Sequence, residues 1–255
     1  MDRLIYTALT SMNASMDRQR AVANNLANAA TPGFRGEVFA VTAATLRDDS
    51  LEARALARGS VRGADMATAR TASTGQPLDI AVQGKALIAF QNPAGGPGEG
   101  EVYSRRGDLR VAASGVLENG EGLAVLGQAG GPITVPRGFD LSIAEDGAVL
   151  ARDPSAPQAQ PEEVARIKLV SPGGSRLVKG VDSFLKVPGA DGVDGVLPPD
   201  PTARVTSGAL EGSNVETAET LVDMIDAQRA FEQRARIIKT ARELDEASAR
   251  LMDMR

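Results

Sequence analysis

Apolar side chains recur every seven residues through the first thirty positions of the chain. One row contains Ile5, Met12, Gln19 and Leu26, and the row three residues further on contains Ala8, Ser15, Val22 and Ala29. No glycine or proline interrupts this stretch before Pro32. The spacing predicts an amphipathic helix with a coiled-coil-like stripe in an N-terminal segment, residues 1–34. Pro32 and Gly33 are expected to end it, because proline lacks a backbone N–H and glycine accepts positive φ.

A second helical pattern occupies the C-terminal segment, residues 204–255. Its apolar stripe at heptad spacing contains Leu221, Met224, Gln228, Phe231, Ala235 and Ile238. Ser213 and Glu216 have the spacing of a capping box, which predicts a helix from about residue 214 to 252. A helix of that length, with a narrow apolar seam, is expected to pack against another helix.

The middle of the chain has a different composition. Residues 75–201 contain 21 of the 27 glycines and 13 of the 14 prolines. Short runs of β-forming residues alternate with turn signals, of which Asn119-Gly120 and Asp146-Gly147 are the strongest. This pattern predicts a β module over residues 76–203, with strands at 78–82, 86–90, 101–105, 108–111, 122–126, 132–135, 141–143, 148–151, 164–170 and 184–186.

The segment between the first helix and the β module, residues 35–75, is ambiguous. Residues 38–58 are rich in alanine and are compatible with a helix, whereas residues 59–75 are small and polar. We expect an extended or partly ordered connector here, with a helix over 38–58 as the other interpretation.

Composition excludes several classes of function. The chain has 255 residues, a net charge of −5 and no long block of Lys or Arg, so nucleic acid is not an expected partner. It contains neither Cys nor His, which excludes disulfides, Cys- or His-ligated metals, a Cys nucleophile and a His-based triad. We predict no cofactor, no metal and no small-molecule substrate. No apolar run reaches the ~18–20 residues that span a bilayer, and the N-terminus lacks the pattern of a cleavable secretory leader.

The predicted fold class is therefore α+β, with a mainly-β central module flanked by terminal helices that pair as a coiled-coil-like layer. Eight apolar residues of the two stripes are candidates for contacts with neighbouring molecules, and packing within the chain is the equally weighted alternative for each. They are Ile5, Met12, Val22, Leu26, Leu221, Met224, Phe231 and Ile238.

Three groups of residues, in the same order along the chain, resemble the bacterial flagellar basal-body rod proteins. The first runs from Asn24-Asn25-Leu26-Ala27-Asn28 to Thr31-Pro32-Gly33-Phe34, and the second is Tyr103-Ser104-Arg105-Arg106-Gly107-Asp108. The third comprises Glu211-Gly212-Ser213-Asn214-Val215 and a later Gln228-Arg229. We expect Asn24, Asn25 and Asn28 to cap or cross-link helices through hydrogen bonds, with solvated side chains as the alternative. Two departures, at residues 84–88 and 241–244, leave the local geometry there open.

The resemblance implies a structural subunit of the rod, with no enzymatic activity, whose terminal helices form an inner layer with other copies and other rod proteins. It also implies export by the flagellar type III apparatus without a cleavable signal peptide, and a periplasmic location in the basal body. Within the family the opening residues and the length favour a proximal-rod protein, with a distal-rod or hook-like axial protein as the alternative.

Two alternatives belong to different classes of protein. One is a secreted hydrolase of cell-wall glycan that uses a pair of carboxylates such as Glu145 and Asp146. The other is a secreted β-rich adhesin that trimerises through its helices.

Overall fold

The computed structural model describes residues 2–48, 51–93, 100–156, 158–180, 183–189 and 194–253. The chain forms two compact units. The helical unit contains residues Met1–Ala27, Glu37–Gly63 and Val215–Arg255, and the β unit contains Asn28–Gly36 and Ala64–Asn214. Two helices packed together and a strand-rich central region confirm the predicted α+β class.

Two helices and sixteen strands make up the described chain. The helices are α1 (Asp2–Ala27) and α2 (Thr217–Asp253). The strands are β1 (Glu37–Asp48), β2 (Leu51–Ala64), β3 (Thr71–Ser73), β4 (Ile80–Val82), β5 (Leu87–Gln91), β6 (Glu101–Ser104), β7 (Leu109–Val111), β8 (Leu117–Asn119), β9 (Asp140–Ile143), β10 (Ala148–Arg152), β11 (Glu162–Arg166), β12 (Leu169–Val170), β13 (Val178–Lys179), β14 (Leu185–Lys186), β15 (Val205–Ser207) and β16 (Ala209–Glu211).

In the helical unit α1 and α2 run antiparallel. Near the end of α1, Arg18 Nη2 lies 3.3 Å from Asp223 Oδ1, in the first turns of α2. Near the start of α1, Ala8 lines a groove together with Ile237, which comes later in α2. The two helices therefore run in opposite directions. At 1.5 Å per residue α1 is about 39 Å long and α2 about 55 Å. The prediction that Ser213 caps the start of α2 is wrong, because the helix begins at Thr217. The Thr220 amide donates to the Glu216 carbonyl at 3.0 Å, which places the N-cap at Glu216.

Small residues form most of the buried seam of this helix pair. On α1 the buried residues include Ala14, Ser15, Ala21 and Val22, and on α2 they include Thr220, Ala227 and Ala241. The sequence predicts that Leu221, Gln228 and Ala235 face the partner helix beside Met224, Phe231 and Ile238. The buried row instead starts one residue earlier, at Thr220 and Ala227. Leu221 and Gln228 are exposed, because the helix turns its smaller residues inward, where they permit a close approach of the two axes.

The ambiguous segment after α1 contains strands. β1 and β2 pair with each other as a two-stranded sheet over 37–64, so the helical interpretation of residues 38–58 is wrong. β-branched and aromatic residues in β1, such as Val38 and Phe39, favour a strand.

The β unit is built around a five-stranded sheet in the order β12-β5-β6-β14-β13. Successive residues of a strand point to opposite faces. In β5, Ile88 and Phe90 pack in one apolar cluster, whereas Leu87 and Ala89 pack in a second. All four side chains are fully buried, which explains why β5 reads as a continuous apolar run rather than an alternating one.

Smaller sheets complete the β unit. β9, β10 and β11 form an antiparallel sheet, and β4 pairs with β15, β3 with β16 and β7 with β8. The turn predicted at Asp146-Gly147 joins β9 to β10, with Gly147 at φ 81°. The predicted strands at 122–126 and 132–135 form only isolated bridges, one of them between Leu126 and Pro132. Proline has no N–H to extend a ladder, which limits the pairing there.

A buried polar network joins three parts of the β unit. Lys168 Nζ donates to the Glu101 carboxylate at 2.6 and 2.8 Å, and the Tyr103 hydroxyl donates to Glu101 Oε2 at 3.0 Å. The Leu197 amide donates to the Tyr103 hydroxyl oxygen at 2.8 Å. Burial is the main cause that raises the pKa of the Tyr103 hydroxyl well above its ordinary value. The network therefore combines the buried Lys168–Glu101 ion pair with a protonated tyrosine, and it fixes the chain near residue 197 to β6.

A second buried cluster unites residues that are distant in sequence. Glu211, in β16, accepts hydrogen bonds from Arg35 Nη2 at 2.5 Å and from Arg105 Nε at 2.6 Å. The exposed fraction of each of the three side chains is 3% or less. Arg105 also donates to the carbonyls of Val82, Gly84 and Ala86. One carboxylate thus connects the segment after α1, the end of β6 and the strand that precedes α2.

The charge state of this cluster follows from its contacts. Burial acts to raise the pKa of the Glu211 carboxyl, but hydrogen bonds from Arg35 and the Ala69 amide, together with the charge of Arg105, outweigh it. The net result is a pKa below the ordinary value, so Glu211 is ionised at neutral pH. We call this set of three residues the Glu211 cluster.

Replacement of Glu211 by glutamine is expected to destabilise the β unit by about 3–5 kcal/mol, because it leaves two buried guanidinium groups without a counter-charge. The measurement is urea unfolding followed by circular dichroism. Glu118→Gln is the matched control, since Glu118 pairs with the exposed Arg110 at 2.8 Å and such pairs contribute about 0–1 kcal/mol. Equal losses in the two variants would contradict the importance of the cluster.

Acid sensitivity is expected at Asp200. A hydrogen bond from Ser171, followed by those from Thr202, lowers the pKa of Asp200 from 3.8 to about 2. A lowered native pKa adds stability above pH 3.8, and this stability is lost as the pH falls toward 2. Thermal unfolding midpoints measured between pH 2 and 5 should therefore fall less steeply in Asp200→Asn than in the natural chain. Parallel curves for the two proteins would refute the assignment.

Candidate functional site

The predicted site residues fall in two places that we describe separately. One is the motif junction, residues 31–36 and 211–214, which lies entirely in the β unit. The other is the outer surface of the α1–α2 pair in the helical unit. The sequence does not indicate that the first group of motif residues and the last meet, because about 180 residues separate them in the chain.

Gly33 lies at the closest backbone contact of the motif junction. Its amide donates to the Glu211 carbonyl at 2.8 Å, and its φ is 67°, a left-handed value that favours glycine. A Cβ at this position would lie 2.3 Å from the Arg105 carbonyl carbon and from the Arg106 nitrogen. No larger residue fits here, and the partly buried Pro32 before it fixes the entry to the turn.

Phe34 and Lys179 hold the next part of the junction. Phe34 is buried, and the Lys179 ammonium lies 3.6 Å from the centre of its ring. The same ammonium donates to the Arg35 carbonyl at 2.7 Å. A cation over a desolvated aromatic ring is attracted by its negative face, so Lys179 holds both residues against β13.

Asn214 closes the motif junction from the C-terminal side. Its side-chain oxygen accepts from the Gly36 amide at 2.7 Å, and its side-chain nitrogen donates to the Asp65 carbonyl at 2.9 Å. Its own amide donates to the Phe34 carbonyl at 3.3 Å. One asparagine therefore satisfies backbone groups of two separate segments, as buried polar groups require. Ser213 and Val215 beside it are partly buried.

The asparagines near the end of α1 bond to the chain that follows the helix. The Asn25 side chain accepts from the Glu37 amide at 2.7 Å and donates to the Glu37 carbonyl at 3.1 Å, while Asn24 donates to the Glu37 carboxylate at 2.5 Å. In the β unit, the Thr31 amide donates to the Asn28 carbonyl at 3.1 Å. Asn24 and Asn25 thus attach the first residue of β1 to α1.

The eight apolar candidates divide by exposure. Val22 is buried within the helical unit, and Leu221 is 47% exposed. Ile5 lies in α1, but its side chain is outside the described residues. The other five, all partly buried, are Met12, Leu26, Met224, Phe231 and Ile238.

The structure places further apolar side chains on the outer surface of the helix pair. The exposed ones are Leu9, Met16, Val222, Ile225 and Ile237. Sequence reasoning missed them because it assigned each helix a single stripe. Leu9 and Met16 are themselves seven residues apart, and Ile225 lies four residues after Leu221 and three after Val222, which is the signal of a second apolar row.

Charges on the same surface are arranged in two groups along α2. Glu219 and Asp226 lie in the first part of the helix, and Arg229 and Arg236 lie further along. All four are exposed, and the structure records no ion pair for them with any other described residue. Gln228, next to Arg229, donates to Glu232 at 3.5 Å.

The carboxylates proposed for a hydrolase lie in a turn. Asp146, between β9 and β10, accepts from the Ala148 amide at 3.2 Å and from Arg166 at 2.6 Å. The bond from Ala148 is the main cause that lowers the pKa of Asp146, which opposes a role as general acid at neutral pH. The described side chains form no group of acidic residues that could hold a metal ion.

No helix in the described part of the chain combines the length and apolar character that crossing a membrane requires.

Comparison with known families matches both ends of the chain. Residues 5–35 match the family described as flagella basal body rod protein. Residues 206–251 match the C-terminal part of the flagellar basal body rod FlgEFG proteins. The two matches contain residues 31–35 and 211–214 of the motif junction.

Comparison with curated proteins extends the similarity to the whole chain. The flagellar basal-body rod protein FlgF of Salmonella typhimurium is 36% identical over 256 residues that cover all of both chains. FlgF of Escherichia coli is 39% identical over 94% of each chain, whereas FlgG of Bacillus subtilis is 26% identical over 96% of this chain and 97% of its own. The chain therefore belongs to the bacterial flagellar basal-body rod proteins, as a structural rod subunit that resembles FlgF more than FlgG.

Proposed function

We propose that this rod subunit joins its neighbours through the outer surface of its helical unit, and that these contacts let the rod transmit torque in flagellar motility. Its partners would be other copies of the chain and other rod proteins. The observation that carries the proposal is the exposed apolar row on α2, Leu221, Val222 and Ile225, which lies outside the seam with α1.

The energetics of this row favour a partner. Full burial of an exposed Leu, Val or Ile side chain is favourable by roughly 1.5–3 kcal/mol of free energy. Three adjacent side chains on α2 form an apolar surface of the kind found at protein–protein interfaces, and Leu9 and Met16 on α1 form a second exposed apolar pair. Of the eight sequence candidates, Leu221 supports this interface directly, whereas Val22 serves the packing of the helical unit.

Exposed charges add direction to such contacts. Glu219 and Asp226 precede Arg229 and Arg236 along α2, so one subunit can offer acids where the next offers bases. A contact between two different patches is heterologous, and repeated heterologous contacts that do not close generate an open helical tube. That geometry suits a shaft.

The β unit would serve as the stiff body that carries the load. The Glu211 cluster and the Lys168–Glu101–Tyr103 network are buried and geometrically restrictive, and such networks oppose deformation. Export by the flagellar type III apparatus and a periplasmic location complete the proposal. They rest on the family resemblance alone.

We further propose that the chain has no catalytic activity. The low pKa of Asp146 and the role of Glu211 as a counter-ion to two arginines support a structural use of these acids.

Val222→Asp is expected to abolish motility while leaving the fold intact, because a charge would have to be buried in the subunit contact. The measurement is swimming in soft agar by a deletion strain that produces the variant, together with isolation of its basal bodies. Val196→Asp is the matched control, since Val196 lies in the β unit and is 58% exposed against 59% for Val222. Normal motility with Val222→Asp, or equal loss with both, would contradict the proposal.

Deletion of residues 1–27 is expected to leave the β unit folded and to prevent incorporation into rods, since that unit begins at Asn28. Deletion of residues 1–36 is the control. It also removes Gly33 and Arg35, and should unfold the β unit. Limited proteolysis and circular dichroism distinguish the two. Recovery of complete rods with the shorter deletion would exclude a role of α1 in assembly.

A further inference from the structure

The seam between α1 and α2 opens into a groove near the start of α1. On α2 the buried residues Thr220, Ala227 and Ala241 lie on one row with a seven-residue repeat, and Arg234 occupies the position between the last two. An arginine lays its aliphatic stem along apolar surface and keeps its charged end in water. Arg234 is accordingly only partly buried, and it does not close the seam as an alanine does.

The groove is wide enough for a side chain from another molecule. Its volume is about 200 Å³, and its described walls are Thr7, Ala8 and Ser11 on α1 and Arg234 and Ile237 on α2. The α1 wall is made of small side chains, so the space between the helices stays open. A cavity of about 150 Å³ is large enough to hold benzene. The groove therefore has room for an aliphatic side chain the size of valine or isoleucine.

An apolar pair with the matching charge lies in the first turns of α2. Val222 is 59% exposed and Ile225 is 50% exposed, and residues three apart in a helix are neighbours on its surface. Glu219 and Asp226, three residues before Val222 and four after it, lie beside this pair and are exposed. Arg234, at the groove, has no ion pair with any other described residue. The pair thus carries acids at its edge, and the groove carries a base.

A chain cannot place this pair in its own groove. Val222 and Arg234 are twelve residues apart on one continuous helix, which separates them by about 18 Å at 1.5 Å per residue. Another molecule must therefore supply the side chains that fill the groove. A second copy of this chain offers the required apolar pair together with the required acid.

We propose that the groove binds Val222 and Ile225 of a second copy of this chain. These two side chains insert between α1 and α2 of the receiving copy, and Asp226 of the inserting copy lies beside Arg234 of the receiving one. An amphipathic helix that lays its apolar side chains in a groove is a common mode of recognition. The inference rests on the proposed function, because it names the partner and the receiving surface of the same apolar row. The two patches differ, so the contact is heterologous and can continue to a third copy.

Disulfide cross-linking in isolated basal bodies tests the contact, because the natural chain contains no cysteine. A deletion strain produces two full-length copies with different tags, one with Val222→Cys and the other with Ser11→Cys. A disulfide requires Cα atoms about 4.4–6.8 Å apart, so we expect a mixed dimer that carries both tags. Val222→Cys with Val196→Cys is the control pair, since Val196 is equally exposed but lies in the β unit. No mixed dimer, or the same amount in the control pair, would overturn the inference.

Charge reversal gives a second readout that needs no cysteine. Asp226→Arg and Arg234→Asp should each reduce swimming in soft agar, because each places like charges together at the contact. The two changes combined in one chain reverse the pair at every contact and should restore swimming. Asp226→Arg with Arg229→Asp is the matched control, since Arg229 is exposed and lies outside the described lining of the groove. Equal recovery in the two double variants, or recovery in neither, would contradict the pairing of Asp226 with Arg234.

Failure of this inference can be distinguished from failure of the proposed function. If Val222→Asp abolishes motility but neither test connects Val222 or Asp226 to the groove, the apolar row contacts a different rod protein, and only the inference is overturned. If Val222→Asp leaves motility normal, both are overturned.

Discussion

The Glu211 carboxylate is the interaction on which the β unit depends. It accepts from Arg35 and Arg105 at 2.5 and 2.6 Å, and all three side chains are buried. A buried ion pair of this kind adds little net stability over a hydrophobic replacement, but removal of one partner is strongly destabilising. Its role is geometric, because one carboxylate bonds two guanidinium groups that come from the segment after α1 and from the end of β6. The backbone contact at Gly33 and the amide contacts of Asn214 then follow from that arrangement.

The helical unit packs its two helices through small side chains. Its seam uses Ala14, Ala21, Ala227 and Ala241, so little apolar area is buried per helical turn, while larger apolar residues remain outside. An isolated helix pair with a small-residue seam is stabilised weakly. Small residues inside the seam and larger apolar residues outside it are unfavourable for a helix pair on its own. The same arrangement is favourable for a subunit whose helices are surrounded by other helices.

Much of this fold could be predicted from the periodicity of the sequence. The two helices, and strands such as β5, β6, β9 and β10, follow from local patterns, because their burial repeats with the period of the element. The inner row of α2 was assigned one position too late, since Thr220, Ala227 and Ala241 are too small or too polar to register as a stripe. The strands β3, β15 and β16 were missed because each has only three residues and none contains a continuous apolar run.

The same limit applies to the functional site. The motif residues could be named from sequence, but their meeting at Glu211 could not, because no local pattern encodes a contact between residue 35 and residue 211. Conversely, the second apolar row on α2 was visible in the sequence and was overlooked, since an amphipathic pattern was assumed to have one apolar face.

The pairing of β16 with β3, and of Glu211 with Arg35, also determines when the β unit can fold. Synthesis proceeds from the N-terminus, and the contacts that complete this unit need residues on both sides of a gap of 176 positions. All but the last 44 of the 255 residues must therefore be available before the unit can close. A nascent or threaded chain shorter than this lacks its final strand and its counter-ion, so it stays open until nearly the whole polypeptide has emerged.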